Sequence, residues 1–451
     1  MDLINALRDG VNIYDPATTL GIPFHMTVYA PLFNSLVAAL PAHPTNPFFT
    51  GRILAALFML GAAVCLFGVP RARGHLFLPL MAFGAFFLIH PVVLNTVYQR
   101  SDPAALFLSV IAVMSCVRAL EGPRRAALTG ALCVLAVATK QSYVAALLAC
   151  GLYLLVHDRR ATVVFATAAL AVGALLAAVA SYRWGRGFWF CILLPATNYP
   201  RQWDGFVVYW QQMAAQPVFL FIVAAALISS YRAACARSPS SLVTESPYFL
   251  YMLMSWVTQT IVLTGAGAAG HYLIEPVLAS LLWSIRVLGG DAFPRSPRWA
   301  VAVTAAVFLL CVGVEFRTPR GGPYFATTRQ RTEEHLRHRD EIERELVRLQ
   351  VDRNRMLNFR DSQISHDFSG TISVNDPFLY FVLWEARIVD TAPLHRAIEH
   401  AYFDAIFVSP GLMSAANQDK DNPVQELIRE IFRHYALRVH GAELNVLTPI
   451  R

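Results

Sequence analysis

Charged residues are scarce in this chain, and they are unevenly spread along it. Only 15% of its 451 residues are Asp, Glu, Lys or Arg, and 56% are hydrophobic. A typical soluble domain has about 25% charged residues. Between 52 and 316 the charges stand in short clusters, whereas 317–451 has the composition of an ordinary soluble protein. The chain is therefore predicted to lie mostly in lipid, with a soluble domain at its C-terminal end.

Patterns for disulfides and metal ligands are also missing. Seven cysteines are scattered, most of them inside apolar segments, and no C-x-x-C or Cys/His cluster occurs. These absences argue against a disulfide framework and against a zinc site. We expect no cofactor; a divalent cation is an alternative that no clear site supports.

Nucleic acid is not indicated by the formal charge of +7. Basic clusters beside apolar runs are what membrane topology requires, and the basic residues here lie beside such runs. We predict membrane lipids, and no nucleic acid, among the partners.

Long apolar runs are abundant and predict about ten spans, since a membrane-crossing helix needs about 20 mostly apolar residues. The runs lie at 52–70, 75–95, 103–119, 125–139, 141–157, 161–182, 206–231, 247–265, 271–288 and 299–316. Lys140 interrupts one continuous apolar run and separates the fourth span from the fifth.

Lys and Arg residues orient these spans. With the N-terminus outside, every loop that falls inside carries at least two of them, as the positive-inside rule requires. An even number of crossings then places the C-terminal domain outside as well. Because the first fifty residues contain no span, we expect a further span upstream of Met1; inverted topology is the alternative. A high Ala and Arg content favours a GC-rich bacterium, so we predict a multi-pass protein of the bacterial inner membrane.

Three domains follow from this pattern. A first outer loop with short interfacial helices occupies 1–51, a transmembrane helical bundle 52–316, and a soluble α/β extracytoplasmic domain 317–451. The fold class is mainly α. In the last domain, Arg329–Arg355 is predicted as an amphipathic helix, Ala405–Val408 as a strand, and Arg438–Leu447 as a closing strand pair.

Polar residues near the predicted outer membrane face are the candidates for chemistry, because ionisable groups near lipid are costly. Asp102 opens a span after Ser101, where a helix cap is the simpler explanation. Lys140 stands between two apolar runs and is either a snorkelling lysine or a phosphate ligand. His271, Tyr272 and Glu275 place an imidazole, a phenol and a carboxylate within a short stretch.

Cations and aromatic rings are mixed in the predicted outer loop 181–201. Arg183, Arg186 and Arg201 stand among tryptophan, phenylalanine and tyrosine residues. This mixture is typical of a membrane-interface belt, and it also suits an amphiphile with an anionic head and a hydrocarbon tail.

Four motifs together resemble the polytopic C-superfamily (GT-C) glycosyltransferases, which include protein mannosyltransferases and aminoarabinose transferases. The motifs are Gly10–Tyr14 with Val28–Leu32, Arg100–Pro103, Ala138–Ser142 and His271–Pro276. Segments of the tail, Ile364–Gly370, Val374–Phe378 and Phe403–Val408, are similar to the small extracytoplasmic domain of many members. In that family a first-loop acid is the general base. Asp2 and Asp9 are its nearest counterparts here, unless the equivalent acid lies upstream of Met1.

The resemblance implies a transferase that moves a sugar from a polyprenyl-phosphate donor to the hydroxyl of a lipid or glycan acceptor at the outer face, with inversion. Lys140 and one or more of Arg183, Arg186 and Arg201 would hold the phosphate. Asp102 would orient the acceptor or assist, His271 would contact phosphate or sugar, and Tyr272 and Glu275 would complete the substrate site. The alternatives are a transporter or lipid flippase without covalent chemistry, and a structural or assembly protein.

Overall fold

The computed structural model describes most of the chain. The described residues are 3–15, 27, 29–43, 48–69, 76–198, 201, 203–236, 246–265, 270–288, 306–314, 340–352, 355–359, 372–373, 380, 383–384, 387, 389–408, 423–440 and 445–450.

Helices make up most of this structure. In chain order they are α1 (Leu3–Arg8), α2 (Leu32–Ala38), α3 (Phe49–Val64), α4 (Phe77–Leu88), α5 (His90–Val97), α6 (Asp102–Cys116), α7 (Pro123–Thr139), α8 (Ala145–His157), α9 (Arg159–Asn198), α10 (Trp203–Ala214), α11 (Pro217–Ala236), α12 (Pro247–Leu263), α13 (Ile274–Leu288), α14 (306–314), α15 (340–348), α16 (Ala392–Glu399) and α17 (Pro423–His434). Short 3-10 turns lie at Cys65–Gly68, Ala119–Glu121 and Gly270–Leu273.

Two compact units account for the contacts of the chain. One, which we call the bundle unit, comprises Tyr29–Val179 and Pro200–Tyr324. The other, the sheet unit, comprises Met1–Val28, Ala180–Tyr199 and Phe325–Arg451. The expected three-part division at 51 and 316 stays a prediction.

Four segments among the described residues are long and apolar enough to cross a membrane. They are Phe49–Gly68, Arg159–Leu193, Pro217–Cys235 and Gly270–Leu288. The pair α4 and α5, bent by 75°, would form a fifth, while α6 and α8 are shorter apolar helices. Large apolar side chains such as Leu170 and Leu175 are exposed on α9, as a lipid-facing helix requires. The expected total of ten spans stays a prediction.

Prolines set several helix boundaries in the bundle unit. Pro91, Pro103, Pro123 and Pro247 each lie in the first turn of a helix, where a missing backbone N–H costs nothing. Pro217 begins α11 after a break at Ala215–Gln216. The sequence predicted one continuous span over 206–231, and the structure corrects this to two helices, since proline cannot continue the preceding hydrogen-bond ladder.

Close helix packing depends on a glycine in α7. A Cβ atom built at Gly130 would lie 2.4 Å from the backbone carbonyl oxygen of Phe165 in α9, far inside van der Waals contact. The absent side chain thus lets the two helices approach closely. A different role falls to Gly185, whose φ of 64° kinks α9, a conformation that glycine adopts without steric cost.

The sheet unit contains five strands in the order β2-β1-β3-β5-β4. They are β1 (Met356–Asn358), β2 (Ile372–Ser373), β3 (Ala405–Val408), β4 (Tyr435–His440) and β5 (Asn445–Pro449). Parallel pairing joins β1 to β2 and to β3, and antiparallel pairing joins β3, β5 and β4. The predicted strand Ala405–Val408 is β3, and β4 and β5 are the predicted closing pair with different limits.

Helices α16 and α17 supply buried side chains to the core of the sheet unit. Leu394 of α16 and Ile431 of α17 are fully buried with Leu357 and Ile406 of the sheet. The hydroxyl of Tyr435 accepts a hydrogen bond from the backbone N–H of Phe403, and burial raises the pKa of Tyr435 to about 12.

Aromatic side chains tie the beginning of the chain into the same unit. Tyr14 is fully buried and meets Trp184 and Phe188 edge to face, with ring centroids 5.4 Å and 5.2 Å apart. Such contacts add to the free energy of apolar burial. These two aromatics of the 181–201 segment therefore pack within a protein core, where the sequence predicted a membrane belt or a lipid site.

Candidate active site

A buried ion pair lies at the centre of the polar cluster in the bundle unit. Lys140 Nζ is 2.6 Å from Asp102 Oδ1, and the two side chains are 4% and 3% exposed. The hydroxyl of Tyr143 also points at this carboxylate oxygen, at 3.4 Å. A charge this deeply buried requires a partner, and the pair supplies it.

Helix ends bring the two charges together. Asp102 is the first residue of α6, and Lys140 directly follows the last residue of α7. Lys140 is extended (φ −153°, ψ 121°), and its carbonyl accepts the N–H of Tyr143 before α8 begins. Because the chain leaves helical geometry at Lys140, its side chain turns inward. Lys140 is buried rather than snorkelling. Asp102 does begin α6, but no side-chain capping hydrogen bond is described there, and its carboxylate contacts Lys140 instead.

Three further side chains contact Lys140, and a fourth, Arg100, contacts one of them. His271 Nε2 lies 3.3 Å from its ammonium, and Tyr272 places its ring 4.6 Å away. Arg100 Nη1 is 3.1 Å from the other ring nitrogen of His271. Tyr29, which is 46% exposed, holds its ring 5.8 Å from Lys140 Nζ. Two aromatic faces on one ammonium stabilise its charge through cation–π attraction.

Buried hydrogen bonds from α12 and α13 hold the turn at Lys140 in place. Gln259 Nε2 donates to the carbonyl of Ser142 at 3.0 Å and to Glu275 Oε2. The other oxygen of Glu275 accepts the hydroxyl of Tyr251 at 3.1 Å. Gln259 and Glu275 are fully buried. The described hydrogen bonds of Glu275 are all to protein side chains. Glu275 is therefore placed to position the turn at Lys140 rather than to bind a substrate.

Two permanently cationic groups belong to the cluster. Lys140 contacts the carboxylate of Asp102, and Arg100 contacts the ring of His271, which in turn lies beside both Lys140 and Asp102. Fixed cations in a largely water-excluded place stabilise an anion better than water does. An ammonium and a guanidinium are also the usual phosphate ligands. The arrangement is therefore suited to binding a phosphate group beside a carboxylate.

Metal ligation has no comparable support. Within the described residues, no three His, Cys, Asp or Glu side chains lie together in a way that could hold a metal ion.

Arg201 is also in the bundle unit, but its described contacts are with α12 and not with Asp102 or Lys140. Its guanidinium Nη1 donates to Thr264 Oγ1 at 2.8 Å and to the carbonyl of Ile261 at 2.9 Å, at the C-terminal end of α12. This position suits the negative end of a helix dipole.

The remaining predicted site residues belong to the sheet unit. Arg183 and Arg186 are exposed on α9, and Asp9 is exposed directly after α1. Asp2 lies outside the described residues. Of the predicted set, the structure thus brings together Asp102, Lys140, His271 and Tyr272, with Glu275 behind them.

Several members of the site were given no role by the sequence analysis. Arg100 was included in the Arg100–Pro103 motif, but no contact of its own was predicted. Gln259 is an amide within the apolar helix α12. A polar side chain within a membrane segment is costly and is usually functional, so this signal was present in the sequence.

Comparison with known proteins identifies the fold. No family model matches the chain, and no curated protein matches its sequence. Among solved structures, the chain is similar to the crystal structure of ArnT from Cupriavidus metallidurans bound to undecaprenyl phosphate. The TM-score is 0.57 at 13% identity, over 99% of this chain and 92% of that one. The predicted resemblance is thus confirmed at the level of the fold alone.

Proposed function

We propose that this protein is a glycosyltransferase of the bacterial inner membrane that uses a polyprenyl-phosphate-linked sugar. The observation that carries the proposal is the buried contact of Lys140 with Asp102 and His271, in a chain with the ArnT fold. That relative was crystallised with undecaprenyl phosphate, which is the lipid part of such a donor. The transfer would take place at the outer face, where the sheet unit would also lie.

The donor phosphate would bind at Lys140. In the described structure Asp102 is the counterion of this ammonium. An arriving phosphate would share the positive charge of Lys140, with Arg100 and His271 as further donors of hydrogen bonds. As the bond from the sugar to phosphate breaks, negative charge grows on the leaving phosphate. Cations that are already in place stabilise that charge without reorganisation.

Acceptor activation requires a base. We assign this role to a first-loop acid, Asp9 or Asp2, which would take the proton of the acceptor hydroxyl as it attacks the anomeric carbon and inverts it. A positioned base contributes about 10²–10⁴-fold. Asp102 would orient the acceptor or assist, and it would return to Lys140 when the phosphate leaves. Arg183, Arg186 and Arg201 remain proposed contacts for the lipid-linked donor.

Transporter or flippase function is the main alternative, and the position of the charges argues against it. Transporters place their binding sites near the middle of the membrane. Here Asp102 begins one helix and Lys140 follows the end of another. In the predicted topology both of these helix ends lie at the outer face of the membrane rather than at its middle.

The test is transfer of labelled sugar in liposomes. Purified protein would be supplied with radiolabelled polyprenyl-phosphate sugars and a membrane extract as the acceptor source. We expect label in a new product with the wild type and a large loss of transfer with Asp102→Asn, measured per amount of protein that a melting curve shows to be folded. Glu121→Gln, which removes a carboxylate from an exposed surface pair with Arg125, is the matched control and should retain activity. Translocation of the lipid without a new product would contradict the proposal.

A further inference from the structure

Arg100 reaches the candidate site through the ring of His271. It lies in the short segment between α5 and α6, two residues before Asp102. Its guanidinium Nη1 is 3.1 Å from Nδ1 of His271, and its guanidinium carbon lies 5.9 Å from the ring of Tyr98. Nδ1 of His271 is thus the hydrogen-bond acceptor that the described contacts give to Arg100. Which ring nitrogen of a histidine carries the hydrogen is set by the hydrogen bond that the other nitrogen makes.

Both ring nitrogens of His271 face a positively charged group. Nδ1 faces Arg100, and Nε2 lies 3.3 Å from Nζ of Lys140. Guanidinium and ammonium groups donate hydrogen bonds and do not accept them, and a neutral imidazole has one accepting nitrogen and one that carries a hydrogen. His271 can therefore accept a hydrogen bond from Arg100 or from Lys140, but not from both.

The surroundings of the two nitrogens favour acceptance from Arg100. A carboxylate oxygen of Asp102 lies 3.9 Å from Nε2, so a hydrogen on Nε2 is attracted by a nearby negative charge. A hydrogen on Nδ1 would instead face the guanidinium of Arg100. Lys140 already donates to Asp102 at 2.6 Å, so its ammonium has an acceptor without Nε2. The lone pair therefore belongs on Nδ1 and the hydrogen on Nε2.

We propose that Arg100 is a positioning residue that fixes His271 in the tautomer with its hydrogen on Nε2. In this tautomer Nε2–H and Nζ of Lys140 present two donors side by side, and one anionic oxygen lying between them accepts a hydrogen bond from each. Hydrogen bonds to a charged oxygen are stronger than neutral ones. The identity of this anion, the phosphate of a lipid-linked donor, rests on the proposed function, whereas the tautomer does not.

The opposite tautomer would have the opposite effect on an anion. With its hydrogen on Nδ1, His271 would turn the lone pair of Nε2 toward the phosphate oxygen, and two acceptors would face each other. Arg100 thus raises the affinity for phosphate through His271, in addition to any attraction by its own charge.

Nitrogen NMR of the full-length protein in nanodiscs reads the tautomer directly, because the chemical shift of a ring ¹⁵N differs between a nitrogen with a hydrogen and one without. The chain has 13 histidines, and His271→Asn assigns the signals of His271 by their loss. We expect the wild type to carry the hydrogen on Nε2. Arg100→Lys, which keeps a donor, should retain this tautomer, whereas Arg100→Met should give a measurable population with the hydrogen on Nδ1. Arg124→Met, which removes an exposed cation at the start of α7, is the control and should match the wild type.

Binding of undecaprenyl phosphate, followed by native mass spectrometry, separates action through His271 from action by charge alone. Arg100→Met should weaken binding about tenfold, which corresponds to the loss of one hydrogen bond to a charged group. In a His271→Asn background the same change should have little further effect, because the group through which Arg100 acts is absent. Effects that depend on a shared partner are not additive in a double-mutant cycle.

Three results would overturn the proposal. They are a wild-type His271 with its hydrogen on Nδ1, an unchanged tautomer in Arg100→Met, and an effect of Arg100→Met on lipid binding that is equal with and without His271. Arg100 is exposed, so Arg100→Met should fold, as a melting curve would check, and the wild-type spectrum tests the tautomer in any case. If the wild type has the expected tautomer but transfers no sugar, the proposed glycosyltransferase function is wrong and the role of Arg100 toward His271 is supported.

Discussion

Two contacts to a buried carboxylate, one in each unit, differ in burial and in the number of partners. Lys140 and Asp102 are almost fully buried, and both are surrounded by further partners. His395 and Glu430 are 22% and 11% exposed, and one oxygen of Glu430 has no described partner. Burial of two charges costs free energy that their attraction does not always restore. We therefore propose that the buried pair of the bundle unit serves function, whereas the pair in the sheet unit is less buried and has fewer described partners.

Breaking the buried pair should give the largest effect. Asp102→Asn leaves the ammonium of Lys140 buried beside a neutral amide. Removing one partner of a buried pair typically costs about 3–5 kcal/mol. We expect a clearly lower melting temperature in detergent, which differential scanning fluorimetry would measure. A melting temperature equal to that of Glu121→Gln would show that the pair is not buried as described.

Replacing both partners should cost less than the two single changes added together. In Asp102→Asn with Lys140→Met, no unpaired charge remains in the cluster, so the double variant should unfold at a higher temperature than Asp102→Asn alone. Contacting residues typically show interaction energies of about 0.5–3 kcal/mol in such cycles. If the loss of stability in the double variant equals the sum of the losses in the two single variants, the two side chains are not in direct contact.

Removing the hydrogen bonds of Gln259 to the Lys140 turn should reduce stability by an intermediate amount. Gln259→Leu removes the hydrogen bonds to Ser142 and Glu275, and an unsatisfied buried group costs about 1–3 kcal/mol. Because the variant leaves Lys140 in place, we expect kcat to fall more than the affinity for the donor. The comparison variant is Thr258→Val, whose hydroxyl bonds only to carbonyls of its own helix in the described contacts. A change confined to KM would rule out the positioning role.

Breaking the less buried pair, in the sheet unit, should cost less stability than breaking the Lys140–Asp102 pair. His395→Ala removes the described partner of Glu430, but the His395 side chain is 22% exposed, so water can replace part of the lost contact. The free energy of unfolding should therefore fall by less than for Asp102→Asn. A larger loss would mean that the two contacts do not differ as their burial indicates.

Much of the helical framework was predictable because apolar runs are a direct signal. Lys140 was recognised as the interruption between two runs, and the structure ends α7 and begins α8 around it. The break at Ala215–Gln216 was missed because both sides are apolar and hydropathy does not register a helix end. Pro217 was the available signal.

Short elements of the sheet unit were harder to predict. The strand β1 has three residues, all of them buried, so it shows no alternation that distinguishes a strand from a helix. Helix α17 was missed although its sequence has apolar Leu427, Ile428 and Ile431 on one face, with Glu426 early and Arg433 late. This pattern is typical of an amphipathic helix.

The sequence identified which residues belong to the site but not which of them contact each other. Asp102, Lys140 and His271 were selected because ionisable groups near lipid are costly. Their contact across 38 and 131 positions of sequence depends on how the helix ends meet. Neither local periodicity nor composition contains that information. For the same reason the hydrogen bond from Gln259 to Ser142 could not be predicted.

Binding of undecaprenyl phosphate tests the central claim most directly, because it asks whether Lys140 holds the phosphate of the proposed donor. Native mass spectrometry would compare the wild type, Lys140→Met and the control Arg124→Gln, which removes an exposed cation at the start of α7. We predict that wild type and control retain the lipid and that Lys140→Met loses affinity by about tenfold or more. Equal retention by a folded Lys140→Met variant would contradict the account.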